Sequence, residues 1–121
     1  MTKIVLVDDD DHVRESLENL LESAGFEFRS YSTGEDLLRE EGWRECHCLV
    51  LDVRMPGITG LEVQSELSER HGVPPVIFLS AQTDPDTIDT ALAAGASAFL
   101  SKPFDDDELL AVLEHVSSGK D

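Results

Sequence analysis

Short apolar runs alternate with segments of helical periodicity five times along the chain. The runs occupy residues 3–7, 26–31, 48–51, 75–79 and 98–101. Three of them are almost wholly apolar, which is typical of central parallel strands covered on both faces. The run at 26–31 alternates apolar and polar residues, which favours a position nearer an edge of the sheet.

The segments between the runs predict five helices. In the clearest one, apolar residues recur at helical spacing from Val13 to Ala24, and Gly25 follows where a left-handed C-cap would lie. Ser32 or Thr33 can cap the second helix. The other apolar positions at helical spacing are Leu37 and Leu38; Leu61, Val63 and Leu67; Ile88, Ala91 and Leu92; and Leu109, Leu110, Leu113 and Val116. Strict alternation of strands and helices predicts a doubly wound α/β fold with right-handed crossovers.

The length and the apolar content of the chain predict one globular domain. A chain of 121 residues with 40% hydrophobic residues can bury a core without disulfides or structural metals. We place this domain at residues 1–116. The tail SSGKD, residues 117–121, is predicted to be the start of a linker or a frayed C-terminus.

A strongly negative charge excludes several classes of partner. The formal net charge is −17, which argues against direct binding to nucleic acid or to an anionic membrane, because both would repel such a surface. No apolar stretch is long enough to span a bilayer, and the N-terminal run is too short for a signal peptide. A cytoplasmic location is therefore expected.

The two cysteines lie in the motif CHC at Cys46, His47 and Cys48. Residues this close together cannot easily surround one ion tetrahedrally, and no second pair of ligands follows in the sequence. We therefore expect reduced thiols at the end of a strand rather than a zinc site.

Polar residues follow four of the predicted strands. Asp8 and Asp9 come after the first, Asp52 ends the third, Ser80 ends the fourth and Lys102 follows the fifth. Ligands of open parallel sheets bind at the carboxyl ends of the strands, so these side chains are expected at one edge.

Each of these residues also has a simpler interpretation. The four aspartates at 8–11 can form a solvated turn and a helix cap, and Asp52 can cap a loop. Ser80 can be a strand-end hydroxyl and Lys102 a surface charge. Their coincidence at one edge favours a common site. Within the aspartate run, Asp10 and Asp11 are expected to begin or cap the first helix.

Three carboxylates brought together require a cation. Each pair would repel by ~4 kcal/mol at ~4 Å and an effective dielectric constant near 20, and one lysine cannot neutralise all three. Carboxylate oxygens with positions left for water or phosphate suit Mg²⁺. Beside such an ion, Asp52 is a plausible nucleophile towards phosphorus, with Lys102 balancing charge and Ser80 donating a hydrogen bond.

The segments LVDDD, LDVRMPGITG, FLSA and AGASAFLSKPF occur in this order along the chain. Together they resemble the receiver domain of bacterial two-component response regulators, over essentially the whole chain. The sequence around the third to fifth predicted strands is most similar to receivers of the FixJ-like group. The resemblance implies a flavodoxin-like, five-stranded parallel sheet in the order 2-1-3-4-5 with five flanking helices.

The resemblance also implies the roles of the site residues. Asp52 would accept a phosphoryl group from a phosphohistidine of a sensor histidine kinase, or from small phosphodonors. Asp8 and Asp9 would hold Mg²⁺, one directly and one through water, together with Asp52 and the backbone carbonyl of Arg54. Lys102 would pair with the phosphoryl oxygens.

Two further residues occupy the positions of a conformational switch in the family. Ser80 lies where threonine is more common, and Phe99 lies at the aromatic switch position. Phosphorylation would draw the Ser80 hydroxyl inward and let the Phe99 ring move, repacking the fourth helix, fifth strand and fifth helix. The resemblance allows a phosphorylation-dependent homodimer through this face. For Phe99, a static core aromatic is the alternative.

The expected function is a phosphoacceptor domain that controls an output, rather than an enzyme. The output implied is transcription, through a DNA-binding domain outside this chain. A stand-alone receiver and a phosphorelay intermediate remain alternatives. So does a Mg²⁺-dependent aspartyl-phosphate phosphatase, although such enzymes usually carry a second aspartate two residues past the nucleophile, where Arg54 stands. A binding module without magnesium is a further alternative.

Overall fold

The computed structural model describes residues 3–40, 46–53, 57–68, 74–80, 85–93, 95–102 and 104–118. Strands and helices alternate strictly within them, which confirms the predicted pattern. The elements are β1 (Lys3–Val7), α1 (Asp11–Ser23), β2 (Glu27–Tyr31), α2 (Gly34–Glu40), β3 (Cys48–Asp52), α3 (Gly60–Ser68), β4 (Val76–Ser80), α4 (Pro85–Ala93), β5 (Ala98–Ser101) and α5 (Asp106–Ser118).

The five strands form one parallel sheet in the order β2-β1-β3-β4-β5. This is the predicted order, and β2, whose sequence alternates, lies at one edge. The register aligns the carboxyl ends of the strands, since Val7 pairs with both Tyr31 and Leu51. Residues that follow β1, β3, β4 and β5 therefore lie along the same edge of the sheet.

Alternate residues of the central strands build two cores, one on each face of the sheet. Val5 and Leu49 contribute to the core that α2, α3 and α4 cover. Ile4 and Val50 contribute to the core that α1 and α5 cover. Burial on both faces explains why β1, β3 and β4 are almost continuously apolar.

The first helix begins and ends as the sequence predicted. Asp10 is the N-cap, and its carboxylate accepts hydrogen bonds from the backbone N–H groups of His12, at 2.9 Å, and Val13, at 3.2 Å. The bond from Val13 is the main reason that the pKa of Asp10 is lowered. Gly25, with φ of 86°, follows the C-cap in the left-handed region.

Two details differ from the predicted pattern. Leu92, at an apolar position of the α4 pattern, is 46% exposed, because the buried position of α4 is the adjacent Ala91. The last helix, α5, continues to Ser118, two residues beyond the predicted boundary at 116. No helix in the described ranges is both long and apolar enough to cross a membrane.

The start of α3 lies unusually close to the end of β3. The N–H of Gly60 donates to the carbonyl oxygen of Val53 at 3.0 Å. A Cβ at Gly60 would lie 2.2 Å from the carbonyl oxygen of Asp52, which no ordinary contact permits. Only glycine therefore lets α3 pack against the carboxyl end of β3.

We predict that Gly60→Ala lowers the free energy of unfolding by about 3 kcal/mol, because the main chain must move to accept the methyl group. Gly25→Ala is the matched control. No atom lies within 4 Å of a Cβ there, so only the positive φ is unfavourable, at about 1 kcal/mol. Urea denaturation measures both variants. Equal losses would show that the close approach at Gly60 is unimportant.

Candidate functional site

Four of the residues predicted from the strand ends meet at the carboxyl edge of the sheet. The ammonium of Lys102 lies 2.8 Å from Oδ2 of Asp8 and 3.2 Å from Oδ2 of Asp52. Carboxylate oxygens of Asp8, Asp9 and Asp52 all lie within 4.8 Å of one another. The site therefore joins residues that are distant in sequence but adjacent at the ends of β1, β3 and β5.

Asp8 is held by hydrogen bonds through every polar group it has. Its N–H donates to the carbonyl oxygen of Tyr31 at 3.2 Å, and its own carbonyl oxygen accepts from Nη1 of Arg14 at 2.8 Å. Oδ1 accepts from the N–H of Asp10 at 2.9 Å, while Oδ2 accepts from Lys102. Since its side chain is also buried, Asp8 has one fixed orientation.

The other two carboxylates differ from Asp8 in exposure. Asp52, at the end of β3, is buried as well, with 7% of its surface exposed against 1% for Asp8. Asp9 is exposed, and it lies in the turn between β1 and the Asp10 cap. Asp9 is thus the one carboxylate of the three that faces solvent.

Lys102 is the cation of this group. Burial by itself lowers the pKa of its ammonium, but the hydrogen bond that it donates to Asp8 and the negative charges of Asp8 and Asp52 outweigh this effect, and the pKa is raised. Lys102 is therefore protonated at neutral pH. Against three carboxylates, one ammonium leaves an excess of two negative charges.

The donor set fits a hard divalent cation. Carboxylate oxygens from two neighbouring residues and one strand end are the ligands that Mg²⁺ prefers, and the excess charge equals that of the ion. Within the described part of the chain, these three carboxylates are the side chains that lie close enough together to hold a metal ion. Arg54, whose backbone carbonyl is a predicted ligand, lies outside the described residues.

Ser80, the residue predicted to supply a hydroxyl, is joined to the same site by a main-chain hydrogen bond. Ser80 is buried at the end of β4, and its carbonyl oxygen accepts from the N–H of Lys102 at 2.8 Å. This bond fixes the turn after β5 against the end of β4.

Comparison with known proteins identifies the family. The sequence model of the response regulator receiver domain matches residues 4–114. The chain belongs to this family. The response regulator protein TmoT of Ectopseudomonas mendocina is 40% identical over 110 residues, which cover 91% of this chain and 50% of TmoT. DctR of Rhodobacter capsulatus, a C4-dicarboxylate transport transcriptional regulatory protein, is 41% identical over 107 residues, which cover 87% of this chain and 54% of DctR.

A solved structure supports the same assignment. The BeF3-activated DrrB receiver domain superposes with a TM-score of 0.87 at 32% identity, covering 96% of this chain and 97% of that one. The five-stranded fold of this receiver domain is thus shared with a solved member of the family. The chain spans about half the length of the two curated relatives named above.

Phe99, at the predicted switch position of the receiver domain, is half-buried on β5. Its ring lies 6.5 Å from that of Phe78, measured between centroids, with the two planes at 43°. Phe99 packs against the core that α2, α3 and α4 cover. The side chain therefore lies between the core and the surface, where a ring can change its packing.

The CHC motif forms part of the sheet in this receiver domain. Nδ1 of His47 accepts from the N–H of Lys3 at 3.0 Å, and the N–H of His47 donates to the carbonyl oxygen of Lys3 at 2.8 Å. Burial raises the pKa of the Cys46 thiol to about 11, and it raises the pKa of Cys48 as well. Neither cysteine forms a disulfide with another described residue.

Sequence reasoning missed Arg14, which binds the main chain of Asp8. The residue stands on α1, six positions after Asp8. The only signal in the sequence is a basic residue in the first turns of a helix that begins with aspartates, where acidic residues are favoured.

We predict that Asp9→Asn stabilises the receiver domain by about 1 kcal/mol in EDTA, because it relieves repulsion from Asp8 and Asp52 in a largely solvated setting. Asp11→Asn is the control, since Asp11 lies outside the cluster and pairs with Arg14. That variant should be no more stable than wild type. Chemical denaturation measures both, and equal effects would disprove mutual repulsion.

Proposed function

We propose that this receiver domain accepts a phosphoryl group on Asp52 from a sensor histidine kinase, in a reaction that depends on Mg²⁺. The observation that carries the proposal is the position of the Asp52 carboxylate. It lies in a cluster with the carboxylates of Asp8 and Asp9, and its Oδ2 is 3.2 Å from the Lys102 ammonium.

The surroundings of the three carboxylates favour Asp52 as the nucleophile. Asp8 is 1% exposed, and both of its oxygens already accept hydrogen bonds. Asp9 is exposed, and the described residues give it no ion pair with Lys102. Asp52 contacts Lys102 and lies at the carboxyl edge of the sheet, where 7% of its surface remains exposed.

The proposed phosphoryl transfer forms one bond to phosphorus and breaks another. An oxygen of Asp52 attacks phosphorus while the bond from phosphorus to the imidazole nitrogen of phosphohistidine breaks, and that nitrogen leaves with the electron pair. The product is an acyl phosphate on Asp52. Lys102 compensates charge on the phosphoryl oxygens, because its raised pKa keeps it protonated.

The residues present fit a magnesium site. Asp9 and Asp52 are the better direct ligands, whereas Asp8, whose oxygens are occupied by Asp10 and Lys102, suits contact through water. The backbone carbonyl of Arg54 would complete the protein ligands. When bound, Mg²⁺ supplies positive charge that offsets the carboxylates and the incoming phosphoryl group.

The signal would pass through Ser80 and Phe99. We propose that the Ser80 hydroxyl donates to the phosphoryl group and that the half-buried Phe99 ring then moves inward, repacking α4, β5 and α5. The resemblance to the family also leads us to propose a phosphorylation-dependent homodimer through this face.

The kind of output is suggested by the relatives. DctR is a transcriptional regulatory protein, and this chain matches about half of it. We therefore propose that the receiver domain controls transcription through a DNA-binding domain outside this chain, in the cytoplasm. A stand-alone receiver or a phosphorelay intermediate is the alternative. With a net charge of −17, the domain itself is unsuited to binding DNA.

We predict that acetyl phosphate with Mg²⁺ adds one phosphoryl group to the protein, detected by intact-mass spectrometry. Asp52→Asn should abolish the addition, because an amide lacks the nucleophilic oxygen. EDTA should suppress it in the wild-type protein. A matched control is Asp36→Asn, which removes a carboxylate on α2 that pairs with Arg39 and should leave labelling intact. Labelling that persists in Asp52→Asn would refute the assignment.

A further inference from the structure

Arg14 makes two contacts that join α1 to the acidic site. Nη1 donates to the carbonyl oxygen of Asp8 at 2.8 Å, and Nη2 lies 2.5 Å from Oδ1 of Asp11. The guanidinium therefore connects the main chain at the end of β1 with the first residue of the helix that follows. Its side chain is only 20% exposed, so the contact with the Asp8 carbonyl is partly buried, whereas the partner carboxylate of Asp11 is 83% exposed.

A second arginine in the chain shows which of these contacts is special. Arg39 on α2 pairs with Asp36 three residues before it, as Arg14 pairs with Asp11. The side chain of Arg39 is 69% exposed, and among the described residues its hydrogen bond goes to the Asp36 carboxylate and not to a main-chain group. The bond to a backbone carbonyl thus distinguishes Arg14 from an ordinary surface pair on a helix.

The carbonyl that Arg14 binds lies in the peptide unit joining Asp8 to Asp9. Because the hydrogen bond fixes this peptide unit, it also fixes the direction in which the chain leaves β1. The positions from which the side chains of Asp8 and Asp9 project are fixed with it. The N–H of Asp8 is held by Tyr31 on the other side. Arg14 and the end of β2 therefore clamp the acidic turn between them.

We propose that Arg14 is a positioning residue for the cation site, acting through the Asp8–Asp9 peptide rather than by touching the ion. The inference rests on the proposed binding of Mg²⁺. It assigns a role to a residue of α1 that lies outside the carboxylates, the hydroxyl and the lysine of the site. A supporting group of this kind typically changes metal affinity by about tenfold or more when it is removed.

Charge alone predicts the opposite result. Removing a cation beside an acidic cluster makes the cluster more negative, so Mg²⁺ would bind more tightly if Arg14 acted only through its charge. Removing a positioning contact makes Mg²⁺ bind more weakly. The direction of the change in the dissociation constant therefore distinguishes the two explanations.

The experiment is isothermal titration calorimetry with MgCl₂ at constant ionic strength. We expect Arg14→Ala to raise the Mg²⁺ dissociation constant about tenfold. Arg14→Lys, which keeps the charge and one donor but loses the fork of the guanidinium, should give an intermediate value. Arg39→Ala removes the matched pair on α2 and should leave the constant unchanged.

A further variant separates positioning from a general loss of stability. Leu20→Ala removes a partly buried side chain of α1 that packs into the core, far along the helix from Asp8. It should lower the melting temperature and leave Mg²⁺ affinity unchanged. If Leu20→Ala weakens Mg²⁺ binding as much as Arg14→Ala does, the positioning role is refuted.

The remaining outcomes separate this inference from the proposed function. Wild-type affinity or tighter binding in Arg14→Ala, with binding intact in the wild-type protein, overturns the role of Arg14 alone. Failure of the wild-type protein to bind Mg²⁺ overturns the cation site and the inference with it.

Discussion

The contacts of Lys102 with Asp8 and Asp52 are the interaction on which the site depends. A parallel sheet in the order β2-β1-β3-β4-β5 directs the ends of β1, β3 and β5 to one edge, so the fold itself brings like charges together. The sheet supplies one ammonium for three carboxylates. The resulting excess of negative charge disfavours the isolated domain and favours whatever cation or phosphoryl chemistry relieves it.

Local structure gives the three carboxylates of the site different exposure and different hydrogen bonds, although they are chemically alike. The cap formed by Asp10 turns the chain directly after β1, and the N–H of Asp10 holds Oδ1 of Asp8. Asp8 is thereby fixed with 1% of its surface exposed, Asp52 at the end of β3 is 7% exposed, and Asp9 faces solvent. The same residue type can therefore support three roles, because burial and hydrogen bonding set which oxygen is accessible.

Much of this arrangement could be predicted from the sequence because it depends on periodicity and parallel topology. The apolar runs identified the strands, and residues that follow parallel strands must share an edge. The exposure of Leu92 could not be predicted, since helical spacing defines a face but not the neighbour that covers it. The hydrogen bond from Arg14 to the carbonyl oxygen of Asp8 could not be predicted either, because it depends on the exact turn after β1. The close approach of Gly60 to the main chain of Asp52 was likewise not predictable from the sequence.

The dependence of folding stability on Mg²⁺ tests the charge imbalance most directly. The free energy of unfolding is measured by urea denaturation over a range of MgCl₂ concentrations, at ionic strength held constant with KCl. We expect the free energy of unfolding to rise by about 1.4 kcal/mol for each tenfold increase in Mg²⁺ above its dissociation constant, because one ion is bound by the folded chain. Stability that does not change with Mg²⁺ would contradict it.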